Sequence, residues 1–238
     1  MEIAEFKEKM LDECENIGIK LNEEQIMQFY KYMNTLVEWN EKMNLTAITE
    51  PNEVIKKHFV DCLSILKYIP KQGKVIDVGT GAGFPGIPLK IAESSLDITL
   101  LDSLNKRVNF LNEVINIINL EKIKAVHSRA EEYAVGENRE AYDVAVSRAV
   151  AELPTLLEYL MPYVKVGGIC ICMKGPKATE ELEKSRKAIE VLGGRFEKIE
   201  NINIDENMER NIIIIKKVKH TPNKYPRKAG KPSKEPII

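Results

Sequence analysis

The chain lacks an apolar run of about 20 residues, the length that crosses a bilayer as a helix. Its first residues, which include Glu2 and Glu5, also lack the basic start of a secretory signal peptide. We therefore expect a cytoplasmic protein with no membrane association. The formal net charge is only −1, so the chain has no overall field that would attract nucleic acid. Any such binding must come from local basic patches.

Cysteine and histidine are scarce, with four and three copies. They form neither a C-x-x-C pair nor a Cys/His cluster, so we expect no metal and no disulfide. No Ser/His/Asp or Cys/His set of a nucleophilic enzyme is evident. His58 and Asp61 share a helix face and could form an acid–base pair, but we favour a structural role for them.

The spacing of apolar residues divides the chain into three regions. Residues 1–70 predict helices, with Asn22 as one N-cap and Pro51 opening a further helix. In residues 71–219, apolar strands alternate with helical stretches, which indicates a doubly wound, mostly parallel α/β sheet. We expect seven strands, the last one antiparallel in a terminal hairpin. The predicted strands are Val75–Val78, Ile98–Leu101, Ile123–Val126, Val144–Ser147, Ile169–Met173, Phe196–Asn203 and Asn211–Val218, and the predicted helices between them are Asn105–Ile118, Leu153–Tyr163 and Ala178–Leu192.

Residues 220–238 differ in composition from the rest. They contain four prolines and five basic residues against the single acid Glu235, a local charge of about +4. The proline spacing leads us to exclude helix here. The segment is then either an extended basic arm that binds phosphates or a solvated tail, and the sequence leaves both open.

A glycine-rich loop follows the first predicted strand and carries the most chemical information. Asp77 lies in the strand, and Gly79, Gly81 and Gly83 follow with D-x-G-x-G-x-G spacing. Glycines let the backbone approach a ligand closely. Asp102 ends the next strand, where a carboxylate can accept both hydroxyls of an unphosphorylated ribose. Together they predict a nucleoside-cofactor site at the carboxyl edge of the sheet.

Two cofactors fit this pattern. Gly81-x-Gly83-x-x-Gly86, with Asp102 about 20 residues further on, also matches the dinucleotide fingerprint. A dinucleotide loop must hold a pyrophosphate, which the carboxylate of Asp77 disfavours. S-adenosylmethionine instead carries a positive sulfonium and ammonium, which an acid beneath the loop suits. The residues favour S-adenosylmethionine and leave NAD as the alternative.

Three further segments fall at the same sheet edge. Residues 128–132 follow the third strand, where backbone amides and a carboxylate could read an adenine, or where a charged helix could simply begin. Arg148 ends the fourth strand as either a ligand contact or an ion-pair partner. Lys174 ends the fifth strand and could hold a substrate phosphate or be solvated.

Several stretches resemble the bacterial 16S rRNA guanine-N7 methyltransferases, the glucose-inhibited division protein B family. The run Gly-Thr-Gly-Ala-Gly-Phe-Pro-Gly-Ile-Pro is far more specific than the general glycine loop. The departures are Val60, Cys62 and Tyr225, and none touches that loop. The matching stretches, which span nearly the whole chain, are residues 39–47, 58–63, 77–88, 102–103, 129–131, 147–149 and 225–230.

The resemblance implies a class I S-adenosylmethionine-dependent methyltransferase: a Rossmann-like, seven-stranded, mostly parallel sheet with a terminal antiparallel hairpin, plus N-terminal helices. It implies methylation of N7 of a guanine in the 530 loop of 16S rRNA, with 16S rRNA or the small ribosomal subunit as the partner. N7 already offers a lone pair, so we assign no catalytic base. An NAD-binding oxidoreductase and a non-catalytic ribosome-binding factor are the alternatives.

By matching position, the resemblance assigns cofactor contacts to Gly79, Phe84, Ala130, Glu131 and Arg148, and the ribose contact to Asp102, which Ser103 follows. Asp77, Gly81 and Gly83 of the loop complete the predicted cofactor site. As candidates for contacts with RNA phosphates we name Lys106, Arg107, Lys174, Arg227 and Lys228.

Overall fold

Seven strands form one mixed sheet in the computed structural model, which describes residues 1–205 and 208–238. The strands are β1 Lys74–Val78, β2 Asp97–Asp102, β3 Ile123–His127, β4 Tyr142–Arg148, β5 Val164–Lys174, β6 Gly194–Asp205 and β7 Met208–Lys217. Their order in the sheet is β3-β2-β1-β4-β5-β7-β6. Strands β1 to β5 pair in parallel, whereas β7 is antiparallel to both β5 and β6. The predicted α/β class and terminal antiparallel hairpin are confirmed.

Helices cover both faces of this sheet. The π-helix Ile55–Val60 joins the α-helical segments Pro51–Val54 and Asp61–Leu63 without a break, in the helix that we predicted to open at Pro51. The α-helices are α1 Ile3–Asn16, α2 Glu23–Met43, α3 Pro51–Val54, α4 Asp61–Leu63, α5 Gly86–Ala92, α6 Asn105–Ile117, α7 Ala130–Tyr133, α8 Leu153–Leu160, α9 Ala178–Lys184, α10 Arg186–Val191 and α11 Lys231–Lys234, with short 3-10 turns at Leu66–Tyr68, Gly136–Asn138 and Met161–Tyr163.

Asn22 caps α2, as predicted from the sequence. Its side chain accepts a hydrogen bond from the Gln25 backbone N–H at 2.9 Å, and the Gln25 side chain accepts one from the Asn22 N–H at 2.9 Å. This reciprocal pair satisfies two donors at the helix start. The Gln25 amide also donates to the carbonyl oxygens of Ile91 and Ala92, so the cap fastens α2 to the end of α5.

The predicted helix Ala178–Leu192 was wrong as one unit, because Ser185 separates α9 from α10. The Ser185 hydroxyl donates to the Glu181 carbonyl at 2.6 Å, and its N–H bonds to Leu182, three residues back. Such local bonds compete with the regular helical ladder. The break turns the chain within a segment that sequence periodicity describes as continuous.

The C-terminal segment, residues 220–238, packs on the rest of the protein. Our exclusion of helix from it was wrong, since α11 forms there. Pro232 lies in the first turn of α11, where its missing N–H is not needed. The Arg139 guanidinium donates to the carbonyl oxygens of Thr221 and Tyr225, both at 2.7 Å, and the Tyr225 ring is buried.

Two hydrophobic cores lie on the two faces of the sheet. Residues of α1 and α2, such as Phe6 and Phe29, share one core with Val75 and Val144 from the strands. On the other face, α8 and the C-terminal segment pack against the sheet, with Tyr225 among the core residues. The burial of apolar surface, which contributes about 25 cal/mol per Å², is the main force that holds both layers of helices on the sheet. The N-terminal helices therefore cover one face of the sheet together with α5 and α6.

Among residues 1–205 and 208–238, no helix is long and apolar enough to span a membrane. The same residues contain no group of three or more His, Cys, Asp or Glu side chains placed to hold a metal ion.

Asp61 connects three distant elements through buried ion pairs. Its carboxylate is fully buried and accepts from Arg148 on β4 at 2.8 Å. It also accepts two bonds from the Arg210 guanidinium on β7, at 2.7 and 2.8 Å. A buried carboxylate with two guanidinium partners is satisfied on both oxygens. The side chain thus fixes α4 to the sheet rather than standing free as half of an acid–base pair.

We expect Asp61→Asn to destabilise the protein by about 3–5 kcal/mol, because it leaves two mostly buried guanidinium groups without a counter-charge. The free energy of unfolding in urea measures this. Glu183→Gln is the matched control, since it removes an exposed carboxylate paired with Arg186 three residues away and should leave stability unchanged. Equal stabilities of the two variants would contradict the structural role of Asp61.

Candidate cofactor site

Asp77 holds the loop between β1 and α5 from beneath. One carboxylate oxygen, Oδ2, accepts from the Thr80 hydroxyl at 2.7 Å and from the Gly86 N–H at 2.8 Å. The two donors lie at opposite ends of the loop, so one side chain sets the loop's span. The residue is fully buried.

Asp102 holds the middle of the same loop from the adjacent strand end. Its Oδ2 accepts from the Gly81 N–H at 2.9 Å, and its Oδ1 accepts from the Leu104 N–H at 2.9 Å. The Arg107 guanidinium lies 3.4 Å from Oδ2. Oδ2 accepts two hydrogen bonds and Oδ1 only one, so Asp102 retains the capacity to bind a ligand hydroxyl at Oδ1.

Gly79 and Gly81 are required for two different reasons. Both adopt a positive φ, 71° and 62°, which is costly for other residues. A Cβ on Gly79 would lie 2.5 Å from a methyl carbon of Val150, so a side chain does not fit. A Cβ on Gly81 would meet no atom within 4 Å. The backbone at Gly81 is therefore open to an approaching ligand.

A cavity of about 200 Å³ opens at the carboxyl edge of the sheet beside this loop. It brings together Gly79, Asp102, Ser103, Ala130 and Glu131, all predicted from the sequence as cofactor residues. The Ala130 carbonyl accepts a hydrogen bond from the Tyr163 hydroxyl, which fixes the start of α7. The other lining residues are Val78, Leu101, Ser128, Arg129, Val150, Tyr159, Gly230 and Ser233.

Phe84 and Arg148, two other predicted contacts, are not among the residues that line this cavity. The Arg148 guanidinium lies 4.8 Å from the centre of the Phe84 ring, and the His58 ring lies 4.4 Å from it on a tilted plane. The sequence left Arg148 as a ligand contact or an ion-pair partner, and the structure shows its ion pair with Asp61. Burial and the charge of Arg148 lower the pKa of His58 to about 3, so this ring is neutral near pH 7.

Asp77 has one oxygen without a partner. Its Oδ1 is the single buried side-chain nitrogen or oxygen without a hydrogen bond among the residues described. Burial raises the pKa of Asp77 to about 7, against the opposing hydrogen bonds from Thr80 and Gly86. An uncompensated carboxylate beneath a ligand loop favours a cationic ligand group above it and disfavours a pyrophosphate. The residues present therefore fit S-adenosylmethionine better than a dinucleotide.

The basic residues predicted to contact RNA are either exposed or paired with an acid inside the protein, and Arg107, half-buried beside Asp102, belongs with the paired ones. Lys106 and Lys228 are exposed. Lys174 is buried, with its Nζ 2.6 Å from Glu181 Oε2 and 2.6 Å from the Ala151 carbonyl oxygen, so it is not a solvated lysine. Arg227 is bound to Glu158 at 2.6 Å. An RNA phosphate would have to compete with these internal acceptors for Lys174 and Arg227.

Four cavity residues escaped the sequence analysis. Val150 follows β4 directly, so its place at the carboxyl edge was open to prediction. Tyr159 lies on α8, and Gly230 and Ser233 reach the cavity because the C-terminal segment packs against that helix. No local pattern signals such a contact between distant parts of the chain.

The strand order with its antiparallel seventh strand, and the glycine loop after β1, define the class I S-adenosylmethionine-dependent methyltransferase fold. The fold resembles that of a SAM-dependent methyltransferase from Aquifex aeolicus, with a TM-score of 0.55, 20% identity, and 72% of this chain and 96% of that chain covered. It also resembles M. jannaschii TYW2 in complex with AdoMet, with a TM-score of 0.54, 14% identity, and coverage of 66% and 75%. These likenesses concern the fold.

The family follows from closer matches. The family model described as rRNA small subunit methyltransferase G matches residues 25–213. A ribosomal RNA small subunit methyltransferase G from Clostridium tetani is 51% identical, covering 94% of this chain and 95% of the relative. One from Acetivibrio thermocellus is 53% identical, with 98% and 97% covered. The chain belongs to this family, which confirms the resemblance found in its motifs.

Stability should depend on the ionisation of Asp77. Its pKa is raised from 3.8 to about 7, so the folded protein favours the protonated side chain. The contribution of this preference to the free energy of unfolding is complete below about pH 4 and is lost as the pH rises through 7. The shift corresponds to roughly 4 kcal/mol. We expect Asp77→Asn to become more stable relative to the unaltered protein as the pH rises from 5 to 8, as measured by urea unfolding.

The difference in unfolding free energy between the two proteins cancels the contributions of the other titrating groups. These include His58, whose lowered pKa makes stability rise with pH. A stability difference that stays constant between pH 5 and 8 would show that Asp77 is already ionised in the folded protein.

Proposed function

We propose that the protein transfers a methyl group from S-adenosylmethionine to N7 of a guanine in the 530 loop of 16S rRNA. The observation that carries this proposal is the cavity lined by Gly79, Asp102 and the Ala130–Glu131 segment. Membership of the rRNA small subunit methyltransferase G family supports the ribosomal target. A protein that acts on the ribosome of a bacterium works in the cytoplasm.

Different residues around the cavity would contact different parts of the cofactor. Asp102 would accept the ribose hydroxyls, and the Ala130–Glu131 segment would face the adenine. Burial raises the pKa of Asp77 to about 7, and the positive groups of the cofactor would favour the ionised form of this carboxyl beneath the loop. When bound, the cofactor supplies an electrophilic methyl group on a positively charged sulfur.

The side chains at the site fit a reaction that needs no general base. N7 of guanine attacks through a lone pair that carries no proton. His58 is buried and neutral, and Asp61 is occupied by two guanidinium groups, so neither is poised to accept a proton. Alignment of the guanine with the methyl group can then supply most of the acceleration. N7 lies on the Hoogsteen edge, so the base must be exposed in a loop.

The test is methyl transfer from labelled S-adenosylmethionine to small ribosomal subunits from a strain that lacks this protein. We expect label on one guanine of the 530 loop, as N7-methylguanine, when the modified base is mapped. Asp102→Ala should reduce transfer at least tenfold through weaker cofactor binding, because a lost charge-assisted hydrogen bond costs about 1.5–3 kcal/mol.

Label at a different nucleotide would contradict the proposed target but would support S-adenosylmethionine as the cofactor. Absence of transfer to naked 16S rRNA, to assembly intermediates and to mature subunits alike would overturn the methyltransferase assignment.

Binding of 16S rRNA should weaken as salt rises, and Lys106 and Lys228 should contribute to that dependence. Each lost phosphate contact lowers the slope of log affinity against log salt by about 0.7–0.9. The double variant Lys106→Ala and Lys228→Ala should therefore show a slope smaller by roughly 1.5 in filter-binding titrations.

Lys71→Ala provides the matched control, because this exposed lysine precedes β1 at the opposite edge of the sheet and should leave the slope unchanged. Equal slopes for the double variant and the unaltered protein would exclude these two lysines as phosphate contacts.

A further inference from the structure

The C-terminal segment supplies two residues to the cavity that contains Asp102. Gly230 and Ser233, at the start and within α11, line it together with Glu131. The Gly230 N–H donates to Glu131 Oε1 at 2.9 Å. We propose that Gly230 and Ser233 form one wall of the cofactor site, at the end where Glu131 lies. This assignment rests on the proposed function, since it takes the cavity as the site of S-adenosylmethionine.

A buried ion pair fixes this wall to the protein. The Arg227 guanidinium donates to both oxygens of Glu158, from Nη2 to Oε2 at 2.6 Å and from Nε to Oε1 at 2.9 Å. The Arg227 backbone N–H also donates to Glu158 Oε1 at 2.8 Å. The Glu158 side chain is 1% exposed. Bidentate bonds to a carboxylate fix direction as well as distance.

The anchor and the cavity share one helix. Glu158 lies on α8 next to Tyr159, which lines the cavity beside Ser233. The Thr155 hydroxyl, one turn earlier on α8, donates to the Pro232 carbonyl at 3.2 Å. Residues 227–233 are therefore held along α8 at several points. A segment ordered to this degree before a ligand binds loses little further freedom on binding.

The same segment carries an exposed positive charge. Lys228 lies two residues before Gly230 and faces solvent. A phosphate bound at Lys228 would therefore lie beside the cofactor cavity. With Gly230 and Ser233 at the cavity and Lys228 exposed, this one stretch of chain would border both the cofactor and a bound RNA phosphate.

Ser233→Trp tests the assignment, with Lys231→Trp as its control. Both residues are exposed and lie on α11, but only Ser233 lines the cavity. We expect Ser233→Trp to weaken S-adenosylmethionine and S-adenosylhomocysteine binding at least tenfold in isothermal titration, because the indole occupies the space of the ligand. Lys231→Trp should stay within twofold of the unaltered protein. Melting temperatures without cofactor should be the same for all three proteins.

A second comparison avoids bulky side chains. A chain ended after Lys228 lacks the wall, whereas one ended after Lys234 keeps it, and only the first should lose cofactor affinity. Full affinity in Ser233→Trp and in the chain ended at Lys228 would overturn the assignment while leaving the proposed function intact. Failure of the unaltered protein to bind S-adenosylmethionine would instead overturn the proposed function itself.

Discussion

Two carboxylates at adjacent strand ends determine the shape of the glycine loop, and the site depends on that shape. Asp77 joins the two ends of the loop through Thr80 and Gly86, while Asp102 fixes its middle through Gly81. The arrangement leaves the Gly81 backbone uncovered and a carboxylate oxygen of Asp77 unpaired. A buried carboxylate without a full set of partners is costly. Burial accordingly raises the pKa of Asp77 to about 7, and a cationic ligand group above the loop would favour its ionised form.

The rest of the molecule supports this edge of the sheet from two sides. On one face, the N-terminal helices share a core with the strands, and Asp61 ties them to Arg148 and Arg210. On the other face, α8 anchors the C-terminal segment through Glu158. Both anchors are charged pairs with little exposure, whose geometry is specific in a way that apolar packing is not. They hold elements of the protein against the carboxyl edge of the sheet.

Local sequence patterns predicted the helices and strands. Contacts between residues far apart in the chain, which such patterns do not show, determine the positions of Arg148 and of the C-terminal segment. The alternation of strands and helices, the Asn22 cap and the glycine loop each depend on a few neighbouring residues. Arg148 and Asp61 are 87 residues apart, and Arg227 and Glu158 are 69 apart. Nothing in the sequence around Arg227 indicates such a partner, so a basic, proline-rich segment resembled a free arm. Its role as a wall of the cavity emerges only from the packed structure.

A crystal structure of the protein with S-adenosylhomocysteine tests the central claim most directly. The account predicts the ribose hydroxyls on the carboxylate of Asp102, the adenine against Ala130 and Glu131, and the homocysteine end beside Gly79 and Gly81. A ligand bound with its ribose away from Asp102, or outside the cavity at the carboxyl edge of the sheet, would contradict it.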